Sequence, residues 1–135
     1  QTRWREPAAD PDVVYVALTL DRARLDERLR CRAAAMVDAG LEEEVRGLLA
    51  RGYAPTLPAM QGIGYREFAR VVAGDLARDE ALRLMQRDTL RYARRQWTWL
   101  AREPAHWIDV EAVQGGATGV AAAIVTTLEQ EGRIG

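Results

Sequence analysis

A short apolar run, Val13 to Leu20 (VVYVALTL), precedes a chain that otherwise reads almost entirely as helix. β-branched residues on both sides of the alternation suit a strand covered on both faces, as in a parallel sheet. Such a strand needs neighbours, because buried backbone N–H and C=O groups left unpaired are costly. Only Trp107 to Val110 offers a second plausible strand. Most of the sheet is therefore expected in residues that precede Gln1. The opening QTRWREPAADPD is polar, contains proline, and carries neither an initiator Met nor a signal-peptide pattern. The expectation is a cytoplasmic protein that has lost its beginning.

The remainder is punctuated by glycine and proline into helices expected at 22–39, 41–51, 65–73, 79–102 and 117–130. Asp21 is a good N-cap for the first, and Gly40, Gly52 and Gly74 are stops. Tyr53 to Pro58 reads as a proline-broken loop, with Gly62 and Gly64 flanking a tight turn before the third helix. The fold class is mainly α with one or two short strands, at about 13–20 and 107–110. Hydrophobic residues make up 48% of 135, enough for a packed core in one domain or a large piece of one. No apolar run reaches the roughly 18 residues of a membrane span, so no membrane role is expected. Cys31 stands alone, which excludes an internal disulfide, and within its helical pattern it reads as a small core residue. His106 is the only histidine, and no metal site is expected in this chain.

The formal net charge is −1, so an argument for a nucleic-acid partner must come from where the charges sit. All 19 basic residues are arginine, which a GC-rich coding sequence explains without function. On the long helix, Arg91, Arg95 and Arg102 fall within about 40° of one line, with Arg87 and Arg94 on its flank. Leu90, Ala93, Trp97 and Leu100 take the opposite, core side. Such a ridge suits a phosphate backbone, and Tyr92 and Trp99 beside it can stack on splayed bases. An ordinary solvated helix face, its arginines paired with carboxylates, fits the pattern equally well. On the first helix Leu25, Leu29, Ala33 and Met36 define the expected buried stripe. Arg32 points within about 20° of Leu25, and Arg28 lies at the edge. An arginine so aimed needs an anion, either a carboxylate or a ligand phosphate. Gln61-Gly62-Ile63-Gly64-Tyr65-Arg66-Glu67 puts two glycines ahead of a helix N-terminus. It is not a P-loop, since no Gly-Lys-Ser/Thr follows.

Taken in order, LTLDRARLDERLRCRAAAMVDAGLEEEVRGLL, QGIGYREF, TLRYARRQWTWL and HWIDV resemble the tRNA dimethylallyltransferase (tRNA isopentenyltransferase) family over nearly the whole chain. The family's usual lysines become Arg66 and Arg94, which keeps the charge. Its usual Thr-Arg pair is Thr89-Leu90 here, with Arg91 next, so one basic contact is absent or shifted. The resemblance implies the helical C-terminal portion of a P-loop α/β prenyltransferase, with the P-loop part absent from this chain. That enzyme passes a dimethylallyl group from dimethylallyl diphosphate to N6 of the flipped adenine next to the tRNA anticodon, with magnesium assisting. The resemblance makes Arg32, with Arg28 beside it, the diphosphate contact. It makes Gln61, Gly62, Gly64, Tyr65, Arg66, Arg91, Arg94, Arg95, Gln96, Thr98 and Trp99 the grip on the anticodon stem-loop. Phosphate loop, catalytic base and magnesium ligand belong to the missing N-terminal half, so no catalytic residue is expected here and no activity from this piece alone. The intact enzyme is expected to be a monomer. A helical RNA-binding module without an enzymatic parent is the main alternative, but it leaves Arg32 and the orphan strand unexplained. An enzyme that prenylates free adenine nucleotides needs no arginine ridge.

Overall fold

The computed structural model describes residues 13–133. Two strands and five α-helices follow one another: β1 (Tyr15–Thr19), α1 (Arg22–Asp38), α2 (Leu41–Ala50), α3 (Tyr65–Val72), α4 (Arg78–Leu100), β2 (Ala105–Asp109) and α5 (Gly116–Gln130). A 3-10 turn, Pro58–Gln61, begins at the end of the stretch expected as an irregular loop. The long helix stops at Leu100, short of the expected Arg102, so Arg102 falls in the turn that follows.

The chain divides into two compact units. One runs from Arg22 to Arg95 and contains α1 to α3 and most of α4. Its core is Ala33, Val37, Leu41, Val45, Met60, Phe68, Ala69, Ala81 and Met85, with Val45 and Phe68 fully buried. The buried side of α1 is thus Ala33 and Val37, whose small side chains let a neighbouring helix approach closely. Of the stripe expected through Leu25, Leu29, Ala33 and Met36, Ala33 is buried and Leu25 and Leu29 are half-buried, so the observed side is rotated from it by roughly 65°. Met36 is 39% exposed, and Arg32 and Cys31 are exposed too. Arg32 is therefore not aimed at a core face, and Cys31 is not a core residue. The larger side chains misplace the face because leucine and methionine outweigh alanine in any hydrophobic pattern.

The other unit holds β1, β2, α5 and the last residues of α4. β1 and β2 pair in parallel, Tyr15 opposite Ala105 through Thr19 opposite Asp109, and the Val110 N–H continues the ladder to the Thr19 carbonyl at 3.0 Å. The orphan strand thus finds one partner in the chain, and that partner starts two residues earlier than expected. Each face is covered over one strand only among the described residues: Ala17 and Ile108 are buried on opposite faces, whereas their register partners Trp107 and Leu18 are 41% and 50% exposed. Trp97, expected on a core side, is 60% exposed, because no described element lies across it. His106 Nε2 lies 3.2 Å from Glu131 Oε1, an acid–base pair at the surface.

Candidate nucleic-acid interface

The start of α3 is built around Gly64. A left-handed glycine is unremarkable where one helix gives way to the next, as at Gly40, but Gly64 opens α3 with φ +100° and ψ −58°. An added Cβ would meet Met85 Cε at 3.3 Å and Leu41 Cδ2 at 3.4 Å. Glycine is thus required by both conformation and space. Gly62, by contrast, is extended (φ −60°) and open to other residues on conformational grounds. The Gly64 N–H donates to Glu67 Oε2 at 2.7 Å, so the carboxylate three residues on satisfies a donor that the helix itself leaves unpaired. Glu67 is the one charged residue buried among the described residues, 4% exposed. Its other oxygen accepts from Arg66 Nε at 2.5 Å.

Arg66 also reaches α4, where its Nη2 donates to Asp88 Oδ2 at 2.5 Å. This pair joins two segments that are far apart in the sequence. Between them lies a groove of about 530 Å³, walled by Gln61, Gly62, Ile63 and Arg66 on one side and Asp88, Arg91, Tyr92 and Arg95 on the other. A neighbouring groove of about 570 Å³ shares Gln61, Arg66 and Asp88 and is lined further by Arg70 and Arg87. Gln61 is held by its amide, which donates to the Pro55 carbonyl at 2.7 Å. The Arg95 guanidinium lies over the Tyr92 ring, 5.6 Å from its centre.

Asp88 gathers three arginines. Besides Arg66, Arg87 donates to it twice, at 2.8 and 3.2 Å, and Arg91 Nη1 lies 3.6 Å from Oδ1. Hydrogen bonds from Arg87, then the charges of Arg87, Arg66 and Arg91, hold the Asp88 carboxyl below the usual carboxylate range. Arg66 and Arg87 are pushed up, Arg66 chiefly by its hydrogen bond to Glu67 and Arg87 by its bond to Asp88. Because folding lowers the proton affinity of Asp88, its stabilising contribution is present above the ordinary aspartate value near about pH 4 and lost as pH falls through the lower folded value. Asp88→Asn is expected to lower the melting temperature by a constant amount between about pH 5 and 8, with the gap closing below about pH 4. A gap that persists undiminished at pH 2 would show that the charge is not what matters.

The other expected contacts fall elsewhere. Tyr65 donates its hydroxyl to Glu44 on α2, and that bond pushes the phenol pKa above the ordinary tyrosine value. Arg94 turns toward α1, with Nη2 3.7 Å from Asp26 Oδ2. Gln96, Thr98 and Trp99 are exposed on the last turns of α4, which belong to the other unit. Leu90, where the resemblance leads to an expectation of arginine, is 8% exposed and does not line the groove, whereas Arg91 does. Ile63, Asp88 and Tyr92 line the groove although the resemblance assigns them no role; of these, Tyr92 is visible in the sequence by its place beside the ridge. Among the described residues no cluster of three carboxylate, histidine or cysteine side chains can hold a metal ion, and no helix is long and apolar enough to cross a membrane.

A family model described as IPP transferase matches residues 1–103. The chain belongs to that family. A tRNA dimethylallyltransferase of Desulforudis audaxviator is 45% identical over 119 residues, 87% of this chain and 38% of that relative. One from Heliobacterium modesticaldum is 51% identical over 88 residues, 65% of this chain and 28% of that relative. Among solved structures, a tRNA delta(2)-isopentenylpyrophosphate transferase from Staphylococcus epidermidis superposes with a TM-score of 0.79 at 26% identity, covering 87% of this chain and 38% of that one. The full-length tRNA isopentenylpyrophosphate transferase of Bacillus halodurans gives 0.77 at 30% identity, covering 90% and 41%. This IPP transferase chain therefore spans less than half the length of the relatives it matches.

Proposed function

We propose that the chain is the tRNA-gripping portion of an enzyme that transfers a dimethylallyl group from dimethylallyl diphosphate to N6 of the adenine beside the tRNA anticodon. The observation that carries this reading is the groove between the Gln61–Arg66 segment and α4, where Arg66, Arg91 and Arg95 face one space with a single carboxylate, Asp88. Guanidinium groups meet phosphate oxygens with two parallel donors, and Tyr92 offers a ring face to an unstacked base. In this reading Arg94, Gln96, Thr98 and Trp99 also meet the RNA, and Gly62, Gly64 and Tyr65 shape the loop at the groove wall. An extruded adenine fits the general need of base chemistry to take its target out of the stack.

Arg32, with Arg28 one helical turn before it, is assigned to the diphosphate. Support comes from the match of α1 to the family segment, and from Arg32 being exposed with no carboxylate partner among the described residues. The carboxylates of the described residues do not assemble a magnesium site. The reading therefore assigns magnesium, the P-loop and the catalytic base to the remaining length of an enzyme that is cytoplasmic and monomeric. A free-standing RNA-binding module would account for the groove but not for a family match that includes β1 and α1.

The test is a prenyl-transfer assay with salt-dependent binding of an anticodon stem-loop. The 135-residue chain is expected to bind the stem-loop, more weakly as salt rises, and to give no turnover until the rest of the enzyme is supplied. Turnover by the chain alone, or binding indifferent to salt, contradicts the proposal.

A further inference from the structure

We infer that Asp88 is a positioning residue that sets RNA specificity in the groove, by holding arginines from both walls and competing with phosphate for them. The inference rests on the reading of the groove as an RNA surface. Asp88 is the sole acidic residue lining the groove among the described residues. Its two oxygens serve Arg66 from α3 and Arg87 and Arg91 from α4, while its side chain is only 17% exposed. Arg95 differs: its guanidinium rests on the Tyr92 ring.

This wiring acts in two ways. A guanidinium already fixed in place loses less freedom when a phosphate arrives, so RNA that fits the fixed positions is favoured. A guanidinium already engaged by a carboxylate gains less from a phosphate that fits badly, so loosely matched polyanions are disfavoured. Both effects widen the gap between the right RNA and any other. Removing the carboxylate charge releases Arg87 and Arg91 from Asp88, whereas Arg66 stays tied to Glu67. The groove then becomes more positive and less ordered, which favours indiscriminate binding.

The experiment compares the 135-residue chain with its Asp88→Asn and Asp88→Glu variants, measuring affinity for an anticodon stem-loop and for polyuridine across a salt series. Asp88→Asn is expected to bind polyuridine roughly 5-fold more tightly, while the stem-loop to polyuridine ratio falls by at least that factor. Asp88→Glu keeps the charge but moves it by a methylene, so polyuridine affinity stays at the parent level and stem-loop affinity falls. Equal changes toward both RNAs in Asp88→Asn, or none, overturn the inference. If circular dichroism shows that Asp88→Asn does not fold, Asp88→Glu decides alone, and unchanged stem-loop affinity then overturns it. A parent chain with no salt-dependent stem-loop binding overturns the RNA reading itself. A parent that binds while the variants keep its ratio overturns only the role of Asp88.

Discussion

Replacing Arg91 and Arg95 together with alanine is expected to weaken stem-loop binding on the order of 100-fold at low salt, at about 1.5 kcal/mol for each charge-assisted hydrogen bond to phosphate that is removed. Both line the groove, and four residues apart on α4 they stand roughly 6 Å apart along the helix axis. If each meets one phosphate, the slope of log affinity against log salt should become shallower by roughly 0.7 to 0.9 per arginine. Melting should change little, since the Arg91 side chain is 60% exposed and its carboxylate neighbour, Asp88, keeps Arg66 and Arg87. Arg46→Ala is the control, because Arg46 pairs with Glu42 on α2 and does not line the groove. It should leave both affinity and slope unchanged. A double variant with reduced affinity but the parent's salt slope would mean that these arginines shape the groove without touching phosphate.

Much of this arrangement is legible in the sequence, and the errors have identifiable causes. Helix periodicity and glycine stops place the helices to within a residue or two, and the β-branched run marks β1. Chemistry separated by sequence is harder. The QGIGYRE segment and the arginine ridge are each visible, but nothing local says that Arg66 bridges to Asp88, 22 positions on. Arg32 misleads because the buried side of α1 is set by what packs on it. That neighbour accepts the small Ala33 and Val37, so the longer Leu25 and Met36 sit to one side. Glu67 lies within a motif that by itself assigns it no role. Its spacing from Gly64 is the available signal, since a Glu three residues into a helix commonly caps the residue at its start. Trp97 fits a core stripe by angle, yet burial also requires a layer of chain across it, which periodicity does not report.

Glu67→Ala should be more destabilising than any of the substitutions above, costing about 2–4 kcal/mol and lowering the melting temperature by roughly 8–15 °C. The carboxylate is 4% exposed and serves two donors, the Gly64 N–H at 2.7 Å and Arg66 Nε. Alanine leaves that N–H without its acceptor at a buried glycine, whose backbone cannot relax into room occupied by Met85 and Leu41. Glu67→Gln separates the two duties. Its amide oxygen can still accept from Gly64, so the loss of stability should be about half as large, while the charge that anchors Arg66 is gone. Arg66 then depends on Asp88 alone to stay at the groove wall. Glu67→Gln is accordingly expected to cost more in stem-loop affinity than a surface substitution of equal thermal effect would. Thermal melts of both variants followed by circular dichroism, with binding measured well below the transition, test this ordering. An alanine variant within about 1 kcal/mol of the parent would mean that the α3 start is held by its packing on Met85 and Leu41, with the buried carboxylate contributing little.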